Sequence, residues 1–234
     1  METLHNGYQL HICEGGFPLS TDSMALSGFV KLPKNAKVLD LGSGCGTLGL
    51  LLCAGDEGCA VTGIEQSEPA HLTALENAAH NGIENRLFSV CADLRSFSEL
   101  VKPGAFQVCV SNPPYFSAGP QSKVLPTARR EDTCNAEELM KAAAWALKYG
   151  GDFFLVHRPE RLAELCALGS AHKLEAKRLC LLRHRIGGPV SLVLLQLRKG
   201  GNPGLIWEEE CLFDESGLPT PYYRKLYHLE EESQ

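Results

Sequence analysis

Short apolar runs alternate with helical patterns along most of the chain. Runs at about 37–41, 60–64, 87–91 and 106–111 are rich in Val, Leu, Ile, Cys and Phe and too short for helices. Between them, helical spacing covers Asp22 to Leu32, ending at Pro33, then Leu48 to Ala54, then Glu68 to Asn81. The last of these has Ser67 as N-cap and Gly82 as C-terminal stop. A further helix is predicted from Ala136 to Tyr149, with Asn135 and Glu138 at capping-box spacing and Gly150-Gly151 ending it before a strand at Phe153 to His157. Alternation over short connections implies a parallel sheet covered on both faces. Two more strands, about 174–183 and 190–198, are joined only by Arg185 to Pro189, a link that permits only an antiparallel pair. Residues 116–133, rich in Gly, Pro, Ser and charge, form one long loop, either a lid over a site or disordered. Beyond about 200, Leu218 to Tyr223 either packs on the domain or stays free.

Ligands of open parallel sheets collect beyond the carboxyl ends of the strands, and four such ends here carry unusual residues. Val38-Leu39-Asp40-Leu41 opens into Gly42-Ser43-Gly44-Cys45-Gly46. Its glycines allow close backbone approach, and the helix that follows offers unpaired N–H groups. Gly44, Gly46 and Gly49 also match a dinucleotide fingerprint, which is weak by itself. Glu65, followed by Gln66, ends the next run, where a carboxylate can take both hydroxyls of a ribose. Asp93, followed by Leu94, ends the third and can accept a bond from an adenine amino group. Asn112-Pro113-Pro114-Tyr115 ends the fourth. Its prolines fix φ and donate no backbone bond, so carbonyl acceptors converge with the Asn112 amide beside the flat face of Tyr115. That arrangement suits a planar ring with an exocyclic amino group; the plain alternative is a proline-terminated strand with a core tyrosine.

In order and spacing, Asp40 to Gly46, Glu65, Asp93 and Asn112 to Tyr115 resemble the class I S-adenosylmethionine-dependent methyltransferases, and within them the branch that methylates amino groups. With Gly16-Phe17-Pro18-Leu19-Ser20-Thr21-Asp22-Ser23 included, the whole chain resembles the bacterial tRNA1(Val) adenine-37 N6-methyltransferase family. The resemblance implies a Rossmann-like α/β domain, a mostly parallel seven-stranded sheet with an antiparallel last strand and helices on both faces. Residues 1–36 would be a helical lead-in, 37–199 the core and 200–234 a tail of that single domain. It implies S-adenosylmethionine as cofactor, held by Asp40, Gly42, Ser43, Gly44, Gly46, Glu65, Gln66, Asp93, Leu94 and Asn112. Transfer would take place at Asn112, Pro113, Pro114 and Tyr115, on N6 of adenosine in a tRNA anticodon loop. Asp22 either caps the first helix or helps hold the methionine end of the cofactor.

Composition sets compatible bounds: 44% hydrophobic and 21% charged residues over 234 positions fit a soluble globular chain. No apolar run reaches membrane-spanning length, and the start lacks a signal-peptide pattern, so a cytoplasmic protein is expected. Ten cysteines without a C-x-x-C pair, and histidines off metal-ligand spacing, read as free thiols and no metal. The net charge of −6 opposes indiscriminate attraction to RNA. Yet Ala171 to Lys199 carries seven basic residues against Glu175 alone, while Glu208-Glu209-Glu210 and Glu230-Glu231-Glu232 concentrate acid. Arg183 and Arg185 in that stretch, with Arg129 and Arg130 after the Asn-Pro-Pro-Tyr tetrad, are candidate RNA contacts; the alternative is a solvated strand face. A monomer is expected.

Two other functions fit parts of the pattern. The glutamine amide of a release factor would suit the same tetrad, but enzymes of that kind carry a helical domain ahead of the core, and about 36 residues precede Lys37. A non-catalytic, S-adenosylmethionine-responsive RNA-binding module leaves the intact tetrad without purpose. A nicotinamide-dependent oxidoreductase leaves it unexplained.

Overall fold

The computed structural model describes residues 1–113 and 135–229. Pro114, Tyr115, Arg129, Arg130, the loop expected at 116–133 and Glu230 to Glu232 lie outside the described residues. The chain opens with a small hairpin, β1 (Glu2–Thr3) and β2 (Gln9–Leu10), followed by α1 (Thr21–Phe29). Then come β3 (Lys37–Leu41), α2 (Thr47–Gly55), β4 (Ala60–Glu65), α3 (Glu68–His80), β5 (Leu87–Cys91), α4 (Phe97–Leu100) and β6 (Phe106–Ser111). The second half holds α5 (Ala136–Ala146), β7 (Leu147–His157), α6 (Leu162–Ala171), β8 (Leu174–Arg185), β9 (Val190–Lys199), β10 (Ile206–Phe213) and α7 (Pro221–Leu226).

Strand periodicity builds the two core layers. Val38, Val108, Val110, Phe154 and Val156 pack on one face with Leu26 of α1 and Leu50 of α2. The alternate positions Leu39, Leu41, Cys109, Phe153 and Leu155 pack on the other with Leu139 and Met140 of α5 and Leu165 of α6. Burial on both faces makes these strands read as continuous apolar runs. The sheet order is β10-β8-β9-β7-β6-β3-β4-β5, and β9 runs antiparallel to both of its neighbours. The sheet is therefore mostly parallel and covered on both faces, as the alternating pattern implied, with β9 antiparallel as the short link to β8 required.

Three local features differ from the expectation. β7 begins at Leu147: Phe106 pairs with Leu147 but Val108 with Asp152, so Lys148 to Gly151 loop out of the ladder, with Gly150 at φ +78°. The predicted helix therefore stops at Ala146, although its capping box is present. α1 ends at Phe29, short of Leu32. An eighth strand, β10, comes from the tail and pairs in parallel with β8. It is followed by α7, whose Leu226 packs in the same layer as α1.

Candidate functional site

The strand order reverses between β3 and β6, which opens a crevice at their carboxyl ends. The four singled-out strand ends thus stand side by side: Asn112 after β6, the glycine turn after β3, Glu65 ending β4 and Asp93 after β5. Gly42, Gly44 and Gly46 take φ of +77°, +54° and +79°, a region that side chains resist, and Gly46 is the left-handed N-cap of α2. A Cβ on Gly42 or Gly44 would meet nothing within 4 Å, so this side of the turn is open. Ser43 is buried, and its Oγ has no partner among the described residues.

Glu65 latches the turn from the neighbouring strand. Its Oε2 accepts the Gly44 N–H at 2.8 Å, and its Oε1 accepts the Ser67 N–H at 2.7 Å. A carboxylate has about four lone-pair sites, so two remain for a ligand. Asp93 is half-buried and accepts from the Arg95 backbone at 2.8 Å and from the Arg95 guanidinium at 2.5 Å, which holds its carboxyl below the ordinary range. Gln66 is exposed and Leu94 half-buried on the loops beside them.

Asp40 is 2% exposed, and its Oδ2 has no partner among the described residues. Burial, with the Glu65 charge adding to it, pushes its pKa from 3.8 up to about 7. Between those two values the folded chain keeps a proton that the unfolded chain has lost. Folding then takes up a proton, so the contribution of Asp40 to stability falls as pH rises through that window. Asp40→Asn does not titrate, so its melting temperature relative to the parent should improve from about pH 5 to about pH 8. Thermal unfolding across the range checks this; a pH-independent difference would contradict the shift.

Asn112 is half-buried at the end of β6, Pro113 beside it is buried, and Ser111 is tied to the Leu41 carbonyl at 2.7 Å. The Asn112 Nδ2 donates to Ser23 Oγ at 3.0 Å. Ser20, not Asp22, caps α1, accepting the Ser23 N–H at 3.3 Å. Asp22 lies in the first turn, where burial raises its pKa against the opposing charge of Arg158.

Alternating strand directions split the basic stretch between the two rims of the sheet. Arg183 and Arg185 end β8 on the rim that carries Asn112, whereas Lys199 ends the antiparallel β9 on the opposite rim. β10 brings acid against the same cations. Arg178 pairs with Glu208 at 2.9 Å and lies 4.3 Å from the centre of the Phe29 ring; Arg183 pairs with Glu209 at 3.6 Å and donates to the Gly188 carbonyl. Arg198 pairs with Asp152 at 2.8 Å. Arg185 is exposed.

Sequence reasoning missed Asn77, which is fully buried in α3. It accepts the His11 N–H at 2.9 Å and donates to the carbonyls of His11 and Cys45, tying the N-terminal segment to the glycine turn. An asparagine on a helix face otherwise made of Ala70, Thr73, Ala74 and Ala78 was the available signal. Among the described residues no group of three or more His, Cys, Asp or Glu is placed to hold a metal, and no helix is long and apolar enough to cross a membrane.

The fold and the family match are those of a class I S-adenosylmethionine-dependent methyltransferase, with S-adenosylmethionine as cofactor. The chain belongs to the methyltransferase small-domain family, which matches residues 21–168. It is 26% identical over 232 residues to the tRNA1(Val) (adenine(37)-N6)-methyltransferase of Photobacterium profundum, covering 93% of this chain and 97% of that one. To the protein of the same name from Vibrio parahaemolyticus it is 32% identical, covering 80% of this chain and 77% of that one. In fold it is similar to a "predicted O-methyltransferase" from Agrobacterium tumefaciens, with TM-score 0.74 and 22% identity over 89% of this chain and 96% of that one. A geranyl diphosphate methyltransferase solved with S-adenosylmethionine aligns at TM-score 0.58 and 11% identity, covering 84% of this chain and 99% of that one.

Proposed function

We propose that this chain is a single-domain enzyme that methylates N6 of an adenosine in a tRNA anticodon loop. The observation behind this reading is the bond from Asn112 Nδ2 to Ser23: among the described residues it leaves Oδ1 free to accept, at a strand end next to that of the open glycine turn. The residues present fit the cofactor. Among the described residues Asp40 and Ser43 keep unpartnered polar atoms, the glycine turn leaves room, and two carboxylates follow in the adjacent strand ends. Glu65 would take the ribose hydroxyls, and Asp93, both of whose oxygens accept from Arg95, would exchange part of that pairing for the adenine amino group, with Gly42, Gly44, Gly46, Gln66 and Leu94 lining the crevice. When bound, S-adenosylmethionine supplies an electrophilic methyl group on a sulfonium.

The chain's own work is positioning and electrostatic preorganisation. The lone pair of an adenine amino nitrogen is delocalised into the ring and is a poor nucleophile. Asn112 Oδ1 and the Pro113 carbonyl would accept its two hydrogens and favour a more tetrahedral nitrogen. No strong base is needed before transfer, because the cationic product nitrogen loses a proton readily to water. Tyr115 would stack on the base, a contact typically worth ~1–3 kcal/mol. A stacked base cannot reach such a pocket, so the target would be flipped or already in a loop.

A glutamine amide offers the same –NH2 group to the same acceptors. The names of the relatives and the exposed Arg185 on the Asn112 rim support RNA instead. Arg129 and Arg130 would contact phosphates beside the target. Since Arg183 is already paired with Glu209, Arg185 is the cleaner test of the β8 contact. Arg185→Glu is expected to raise KM for tRNA and lower the salt slope of binding by about one while leaving cofactor affinity unchanged. Filter binding over a salt series measures this, and an unaltered slope would remove Arg185 from the interface. Offering tRNA and a release factor together with labelled methyl donor tests the acceptor class. Label is expected in the RNA; label confined to the protein would overturn the RNA reading.

A further inference from the structure

We infer that Ser23 is a positioning residue that decides which end of the Asn112 amide faces the acceptor; this rests on the proposed role of Asn112. The oxygen and nitrogen of an amide have nearly the same shape, and the terminal torsion of asparagine is broad and roughly two-fold. Fixing the backbone ahead of Pro113 therefore does not fix the direction of the amide. If –NH2 pointed at the target amine, donor would meet donor and the acceptor pair would be lost.

The N-terminal helix supplies the missing choice. Ser23 Oγ lies 3.0 Å from Asn112 Nδ2 and 3.4 Å from Ser20 Oγ. Ser20 Oγ already accepts the Ser23 N–H at 3.3 Å as the cap of α1. Either oxygen can be the donor of the Ser20–Ser23 contact; when Ser23 gives its hydrogen to Ser20, it shows Asn112 only lone pairs. In that arrangement only the –NH2 end can satisfy them, which leaves Oδ1 for the target amine. Ser23 is 6% exposed, so water is a poor substitute for this bond. The helix is itself held from behind: Thr21 Oγ1 and Tyr227 Oη are 3.2 Å apart, and Gly28 leaves room only for Leu226, whose Cδ1 would lie 3.0 Å from an added Cβ. The amide is oriented from 89 positions away in the sequence.

The test is steady-state methylation by Ser23→Ala, with Ser23→Thr and Ser23→Val as a matched pair of near-equal volume that differ in the hydroxyl. Ser23→Ala is expected to lower kcat about tenfold, the loss of one oriented hydrogen bond, with KM for RNA and cofactor affinity unchanged. Ser23→Thr should retain most of kcat and Ser23→Val should match the alanine variant; this comparison stands even if Ser23→Ala folds poorly. Equal kcat in the threonine and valine variants would overturn the inference, as would a loss that follows melting temperature and KM together. An inactive Asn112→Ala beside a fully active Ser23→Ala overturns the role of Ser23 alone. An active Asn112→Ala overturns the reading of Asn112 on which it rests.

Discussion

Asn112→Ala is expected to abolish methyl transfer while leaving cofactor affinity within a few-fold. In the proposed reading Asn112 acts on the target amine, so its loss should fall on turnover rather than on cofactor binding. A preorganised polar group aimed at a reacting centre is commonly worth about 10²–10³ in kcat, and here the same change also strips one of only two acceptors from the nitrogen. The fold should tolerate it, because β6 is held by its ladder to β3 and β7 and by the Ser111 hydroxyl on the Leu41 carbonyl. Single-turnover kinetics with calorimetric measurement of cofactor affinity separate the two quantities. A variant that kept most of its turnover would show that the acceptor pair is not how the amine is activated.

Glu65→Ala is expected to weaken S-adenosylmethionine by roughly 1–3 kcal/mol, through loss of charge-assisted hydrogen bonds. Two effects add. The ribose loses its carboxylate, and the glycine turn loses the latch on the Gly44 and Ser67 amides. Removing this charge also relieves Asp40, whose carboxyl is held up in part by Glu65, so the pKa of Asp40 should fall in the same variant. Calorimetry with the cofactor and its demethylated product measures the first effect. Undiminished binding would take Glu65 out of the ribose site.

Strand ends made this crevice legible in the sequence. The parallel strands β4 and β6, and the more exposed edge strand β5, read as apolar runs, and the polar residue that follows or ends each run, Glu65, Asn112 or Asp93, is the one placed at the carboxyl rim. β10 was not legible because Ile206-Trp207-Glu208-Glu209-Glu210 shows no alternation. Its pairing draws on contacts with Arg178 and Arg183 that exist only once the sheet has formed. The same pairs explain why a local charge of +6 between Ala171 and Lys199 overstates the free cationic surface. A count along the chain cannot see the glutamates folded against it. Ser23 and Asn77 escaped for a related reason, since each takes its meaning from partners far away in sequence: Ser23 from Asn112, Asn77 from His11 and Cys45. Helix ends followed local rules where caps were present, as at Ser67 and Asn135, and shifted at Ala146, where pairing with β6 pulled the chain into a strand first.

The methylated atom can be identified directly. Purified protein, unmodified tRNA and labelled methyl donor should be combined, and the RNA digested to nucleosides and resolved by chromatography with mass spectrometry. The label is expected to coelute with N6-methyladenosine, and Asn112→Ala to produce none. Label on any other atom, whether a ribose oxygen, a ring carbon or nitrogen, or the amino group of another base, would contradict N6 methylation of adenosine.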